Sequence, residues 1–127
     1  MDYIDWHAAF IEALQLELEV YRDFLEFYPE CQLTYKPLKI DCVVIKKAKD
    51  AVIKKNIAAI FRDVNILEYK SPTGYVSVGY FYKVYGYACF YSFLKEVPMT
   101  DMTLTFVVSR KPEKLIGHME KVRRYTV

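Results

Sequence analysis

The sequence predicts an α/β domain in which a mixed central sheet is flanked by helices. Three observations predict it. The spacing of apolar residues changes along the chain between a period near 3.6 and a period near 2, so that the elements run helix, three strands, helix, strand, helix. The 127 residues suffice for one domain with a real core and are too few for two, so residues 1–127 form a single domain. Apolar types make up 54% and charged types 27%, with only four Gly and five Pro, which excludes disorder and collagen-like repeats.

The elements follow in order. Asp5 is placed to cap a helix, and Trp6, Ala9, Phe10, Ala13 and Leu14 lie on one face of it. Three residues further the same stripe reaches Glu17, a carboxylate whose burial is costly unless something binds it. From Tyr21 the period shortens towards two, predicting a strand within about 22–35 that Lys36-Pro37 ends. Residues 38–46 hold Ile40, Val43, Val44 and Ile45, the β-branched signature of a buried central strand, with Asp41 inside it. A lysine-rich turn leads to a helical turn or two over 56–62, then a strand over 64–70 with Glu68 and Lys70 on one face. Ser71-Pro72-Thr73-Gly74 closes that strand. Ser77 caps a long helix to about Phe93, with Phe81, Val84, Tyr85, Ala88 and Ser92 on one face. A strand over 102–108 follows, then a helix from Pro112 to about Lys121, and residues 123–127 are expected to begin one more strand.

Charge is unevenly spread. The first thirty residues hold eight acids against one base, Arg22, and the remainder is strongly basic. Lys46, Lys47, Lys49, Lys54 and Lys55 fall close together, either as phosphate contacts or as a solvated hairpin tip. Cys31, Cys42 and Cys89 are odd in number, widely spaced and remote in sequence from histidine, which argues against zinc and for a reducing compartment. The chain starts without a secretion-signal pattern, and the aromatic stretch 76–94 is interrupted by Lys83 and rich in tyrosine, so a cytoplasmic protein with no membrane span is expected. His7 and His118 read as helix-surface residues. There is neither a Gly-x-Ser-x-Gly elbow nor a glycine-rich phosphate loop, so serine-hydrolase and nucleotide-dependent chemistry are not expected.

The informative constellation is Asp41 on one strand and Glu68-Tyr69-Lys70 on the next, with Glu17 on the preceding helix. Two carboxylates on adjacent strands repel unless one protonates or a cation lies between them. Hard oxygen ligands favour magnesium or manganese over zinc. Lys70 projects from the face of Glu68 and is placed to orient water or to stabilise charge on a phosphate.

With Asp41 and Glu68-x-Lys70 set in this order of elements, the chain resembles the PD-(D/E)XK phosphodiesterases, the superfamily of restriction-type and repair nucleases. More narrowly it is similar to short bacterial nuclease-like proteins associated with transposases. The resemblance spans roughly residues 6–108 and implies an αβββαβ restriction-endonuclease-like core and a Mg²⁺- or Mn²⁺-dependent nuclease. It places the family's catalytic and metal-binding acids on Glu17, Asp41 and Glu68, the lysine on Lys70, and a further metal ligand on the backbone carbonyl of Tyr69. Ile40 stands where the family carries proline. Some relatives have Gln-x-x-x-Tyr on the next helix; here Lys83 replaces the glutamine and Tyr87 matches. The expected contacts to nucleic acid are Lys46, Lys47, Lys54, Lys55, Lys83 and Tyr87, with the Arg123-Arg124 end as an alternative. Two rival readings stand beside this one: a non-catalytic module of the same fold that binds nucleic acid or a partner protein, and a homodimeric assembly subunit that uses the tyrosine-rich helix as its interface.

Overall fold

The computed structural model describes residues 5–32, 39–47 and 52–125. In chain order these form α1 (Trp6–Glu17), β1 (Leu25–Gln32), β2 (Lys39–Lys46), β3 (Val64–Tyr69), α2 (Val78–Lys95), β4 (Met102–Val107) and α3 (Glu113–Tyr125). Short 3₁₀ turns occupy Glu19–Phe24, Asn56–Ala58 and Met99–Asp101. The fold is α/β, with one four-stranded mixed sheet in the order β1-β2-β3-β4 flanked by helices. Neighbours are antiparallel from β1 to β3, whereas β3 and β4 are parallel, and α2 is the crossover that a parallel pair requires. Among the described residues no helix is long and apolar enough to cross a membrane.

Asp5 caps α1 as its position predicts, its side chain accepting from Ala8 N–H at 3.0 Å. The buried stripe, however, is Phe10, Leu14 and Leu18, while Trp6, Ala9 and Ala13 face outward. Leu18, four residues after Leu14, takes the inward place that three-residue spacing assigned to Glu17. That apolar choice is the cheaper one, since burying a leucine contributes about 1.5–3 kcal/mol and burying a lone carboxylate costs energy. With Leu25, Cys42, Val44, Ile53, Ala58, Phe61 and Leu67 the α1 stripe forms the core on one sheet face.

Ser77 caps α2 by accepting from Tyr80 N–H at 3.0 Å. The helix runs two residues past Phe93 and ends where Glu96 turns left-handed, with Val97 N–H bonded to Ser92 O at 3.1 Å. Its buried residues are Val84, Tyr87, Ala88 and Tyr91, the last three packed with Ile40, Val43, Val64, Ile66 and Met102. Tyr85, expected on that face, is exposed.

Two other elements depart from expectation. The strand predicted to start near residue 22 starts at Leu25, because Glu19–Phe24 closes α1 with a 3₁₀ turn. The strand's predicted end beyond Gln32 lies outside the described residues. At the other end of the chain α3 continues to Tyr125, so no strand begins at Arg123; Val122, Arg123 and Arg124 include no helix breaker.

Asn65 is the buried polar anchor of the sheet. Its amide donates to Val44 O at 3.1 Å and Arg62 O at 2.8 Å, and its carbonyl accepts from Arg62 N–H at 2.8 Å and Thr103 Oγ1 at 2.6 Å. One side chain thereby ties the turn before β3 to both neighbouring strands.

Candidate active site

The β2–β3 ladder is regular from Ile45–Val64 to Cys42–Leu67 and stops there. One step further, where Asp41 faces Glu68, side chains replace main-chain carbonyls. Asp41 N–H donates to Glu68 Oε2 at 2.6 Å, and Tyr69 N–H donates to Asp41 Oδ2 at 2.9 Å. On the other flank of Asp41, the β1–β2 pairing skips Glu30, which has a φ of 53°. Strand alternation also slips at this point: Ile40 packs with Val43 on the α2 side, while Cys42 and Val44 pack on the α1 side. Asp41 thus occupies a local break in an otherwise regular central strand.

Around this break the two helices each contribute a side chain. From α2, Tyr80 Oη donates to Glu68 Oε1 at 2.9 Å, and its ring face lies 3.6 Å from Lys70 Nζ, a cation–π contact. From α1, His7 Nε2 lies 3.4 Å from Asp41 Oδ2, and the imidazole meets the Tyr69 ring edge-on at 5.8 Å. Phe10 stacks on the same tyrosine at 4.9 Å. An open cleft of about 620 Å³ lies beside Asp41 and is lined also by Asp5, His7, Glu12, Glu30 and Lys39.

Glu68 is only 4% exposed, and its burial raises its pKa above the ordinary carboxylate value. The nearby Asp41 charge adds to that rise, while the Asp41 N–H, Tyr80 and His7 oppose it. Burial, then the charge of Glu68, push the Tyr80 hydroxyl well above its usual range, so it remains a hydrogen-bond donor at neutral pH.

The structure brings together Asp41, Glu68, Tyr69 and Lys70 and separates the other predicted residues from them. Glu17 is exposed and lies 3.5 Å from Lys55 Nζ. It follows His7 by ten residues, about 15 Å along the helix axis, so α1 presents its first turn to Asp41 and its last turn elsewhere. Among the α1 acids it is Glu12 that lines the Asp41 cleft. Lys46 is five residues beyond Asp41 on β2, about 17 Å away at strand rise, and Lys47 lies beyond it. Lys54 belongs to the same far end, where its N–H bonds Tyr21 Oη at 3.2 Å. Lys83 is exposed on α2, 6.0 Å from the Tyr87 ring centre, but Tyr87 itself is in the core at 9% exposure and offers little surface to a ligand.

His7 and Tyr80 are the site residues that sequence reasoning missed. Tyr80 does lie on the stripe of Val84, Tyr87 and Tyr91, which is the signal that points it at the sheet. His7 likewise stands three residues before Phe10, in line with Phe10, Leu14 and Leu18, so its signal is the stripe that the structure buries.

Asp41 and Glu68 accept their hydrogen bonds through carboxylate oxygens that keep further lone pairs, and magnesium in proteins is held by one or two carboxylates with water completing its shell. Among the described residues no group of three or more His, Cys, Asp and Glu side chains forms a cage able to hold a metal ion by itself. No family model, curated protein or solved structure matches the chain.

Proposed function

We propose that the chain is a divalent-metal-dependent phosphodiesterase acting on nucleic acid, with an αβββαβ core of the restriction-endonuclease type. The observation that carries this reading is the Asp41–Glu68 exchange, in which each carboxylate accepts an N–H from the other strand at the break in the sheet, with Lys70 beside them. An acid pair placed this way in a central sheet is expensive without a cation to neutralise it. Asp41, Glu68 and the Tyr69 carbonyl are the groups that would hold Mg²⁺ or Mn²⁺. Such an ion supplies Lewis acidity towards a phosphoryl oxygen and lowers the pKa of water.

The chain's own groups divide the remaining work. The Lys70 ammonium orients the attacking water and stabilises the charge that develops on the phosphate. Tyr80 holds Glu68 by its hydroxyl and Lys70 by its ring, which fixes the two relative to each other. Glu17 has no part in this reading, because it is a helix length away. Lys46, Lys47 and Lys54 would meet the substrate away from the scissile bond, since about 17 Å corresponds to about five phosphates along one strand.

Calorimetry with Mn²⁺ and cleavage assays on single- and double-stranded DNA and RNA test the proposal together. Asp41→Asn should lose cation binding and cleavage, while Lys70→Ala should keep cation binding and lose at least about 100-fold in rate. A wild-type protein that cleaves none of these substrates with either ion, yet binds nucleic acid, would establish the non-catalytic module instead.

A further inference from the structure

Lys70 follows Glu68 by two residues and so projects on the same side of the sheet, with a four-carbon stem long enough to bring its ammonium onto the Glu68 carboxylate. It does not take that position. Among the described residues Lys70 makes no ion pair, and its Nζ lies instead 3.6 Å from the centre of the Tyr80 ring. A ring quadrupole attracts an ammonium less strongly than a pair of carboxylates does, so charge alone does not decide where this side chain lies.

The turn after β3 supplies the constraint. A Cβ placed on Gly74 would come within 3.2 Å of both Cβ and Cδ of Lys70, and of Ser71 O, so the bare glycine backbone lies against the lysine stem. The φ of Gly74 is not positive, and glycine is therefore not needed there for its backbone freedom. What it provides is room. The turn is closed by Gly74 N–H donating to Ser71 O at 2.8 Å, and it is tied to the segment after β4 by Ser109 Oγ donating to Pro72 O at 2.8 Å. The opposite wall is also fixed: Tyr80 donates its hydroxyl to Glu68 at 2.9 Å and its N–H to the Ser77 cap at 3.0 Å, and its ring meets Phe106 edge-on at 6.1 Å. Lys70 donates its own N–H to Val107 O at 3.1 Å, so its main chain is held as well as its ammonium.

We propose that Gly74 and the Tyr80 ring form a slot that holds the Lys70 ammonium off the Asp41–Glu68 pair, which makes both of them positioning residues acting through Lys70. The proposal rests on the reading of Asp41 and Glu68 as cation ligands. A lysine resting on the pair would neutralise it and compete with a divalent ion for the same oxygens. Held in the slot, the ammonium keeps its charge for a phosphate while the acids keep theirs for a cation. One site thereby presents both signs without their cancelling. Any side chain at position 74 presses on the stem, and a shift of a few tenths of an ångström at Cδ grows towards Nζ.

Two measurements on the full chain separate the slot from the site it serves. In metal-free protein, NMR should find the Lys70 ε-methylene protons shifted upfield by the Tyr80 ring. Tyr80→Phe keeps the ring and should keep that shift, whereas Tyr80→Leu and Gly74→Val should lose it. Calorimetry with Mn²⁺ reads the consequence: Gly74→Val should bind about fivefold more weakly than wild type, and Tyr80→Leu about fivefold more weakly than Tyr80→Phe, the strength of an ammonium paired with an accessible carboxylate. In a Lys70→Met background, which keeps the stem and removes the charge, the same two comparisons should show no difference. Tyr80→Leu leaves the turn untouched, so the test stands even where Gly74→Val does not fold. A wild-type protein without the upfield shift, variants that bind Mn²⁺ as tightly as their references, or losses that persist with Lys70→Met would overturn the slot alone. A wild-type protein that shows the shift but binds no Mn²⁺ would overturn the proposal together with the cation-ligand reading.

Discussion

Asp41 and Glu68 coexist inside a sheet because each accepts a main-chain N–H that the ladder no longer uses. Those hydrogen bonds offset part of the desolvation cost, but for Glu68 burial wins and its pKa stays raised. The sign of the resulting pH dependence follows. A carboxyl whose pKa is raised on folding contributes stability that is present below its unfolded pKa and is lost as pH rises through its folded pKa. In a chelator, the wild-type Tm should therefore fall relative to Glu68→Gln as pH is raised above about 4, the ordinary glutamate range. Adding Mn²⁺ should reduce that fall in wild type only. Thermal melts between about pH 4 and pH 8 check this; the comparison is of slopes, since the variant also changes one hydrogen-bond acceptor into a donor. Parallel slopes would remove the Glu68 account.

At the scale of elements, the site depends on where β3 is pinned. Asn65 lies three residues before Glu68 and carries four hydrogen bonds to Arg62, Val44 and Thr103. Asn65→Ala leaves buried main-chain groups without partners and should cost on the order of 2–4 kcal/mol, read by urea unfolding. If Glu68 holds the proposed cation, the variant should also weaken that binding, because the strand end that presents Glu68 loses its anchor. A loss below about 1 kcal/mol would mean that water replaces the amide. The elements were largely legible in the sequence: the caps Asp5 and Ser77, the β-branched run of β2 and the break at residues 71–74 each act through a residue's own backbone preference or its immediate neighbours. Helix orientation was less so. Phe10, Leu14 and Leu18 and the alternative set Trp6, Ala9 and Ala13 both have helical spacing, and only the sheet beneath selects between them.

Charged side chains gather at both ends of the sheet: the cleft beside Asp41 is lined by Asp5, Glu12 and Glu30 with Lys39 and His7, and the other end carries Lys46, Lys47, Lys54 and Lys55 with Glu17 against Lys55. If the basic end holds nucleic acid, the logarithm of the binding constant should fall with the logarithm of salt by about 0.9 per duplex phosphate neutralised. Lys46→Gln and Lys54→Gln should each reduce that slope by about one phosphate. Lys55→Gln should do less, because Glu17 already lies 3.5 Å from its ammonium. Equal effects of all three in filter-binding titrations would show that the Glu17–Lys55 contact opens on binding.

The sequence by itself determined the α/β class, the order of elements and the placing of Asp41, Glu68 and Lys70 at neighbouring strand positions. Those properties follow from periods, caps and breakers that act over a few residues. Only the tertiary structure decided that α1 offers His7 and its first turn to Asp41 while Glu17 pairs with Lys55, and that Tyr80 joins Glu68 to Lys70. The physical reason is direction: spacing tells which residues share a face, but which end of a helix lies over which end of a strand depends on packing across the sheet.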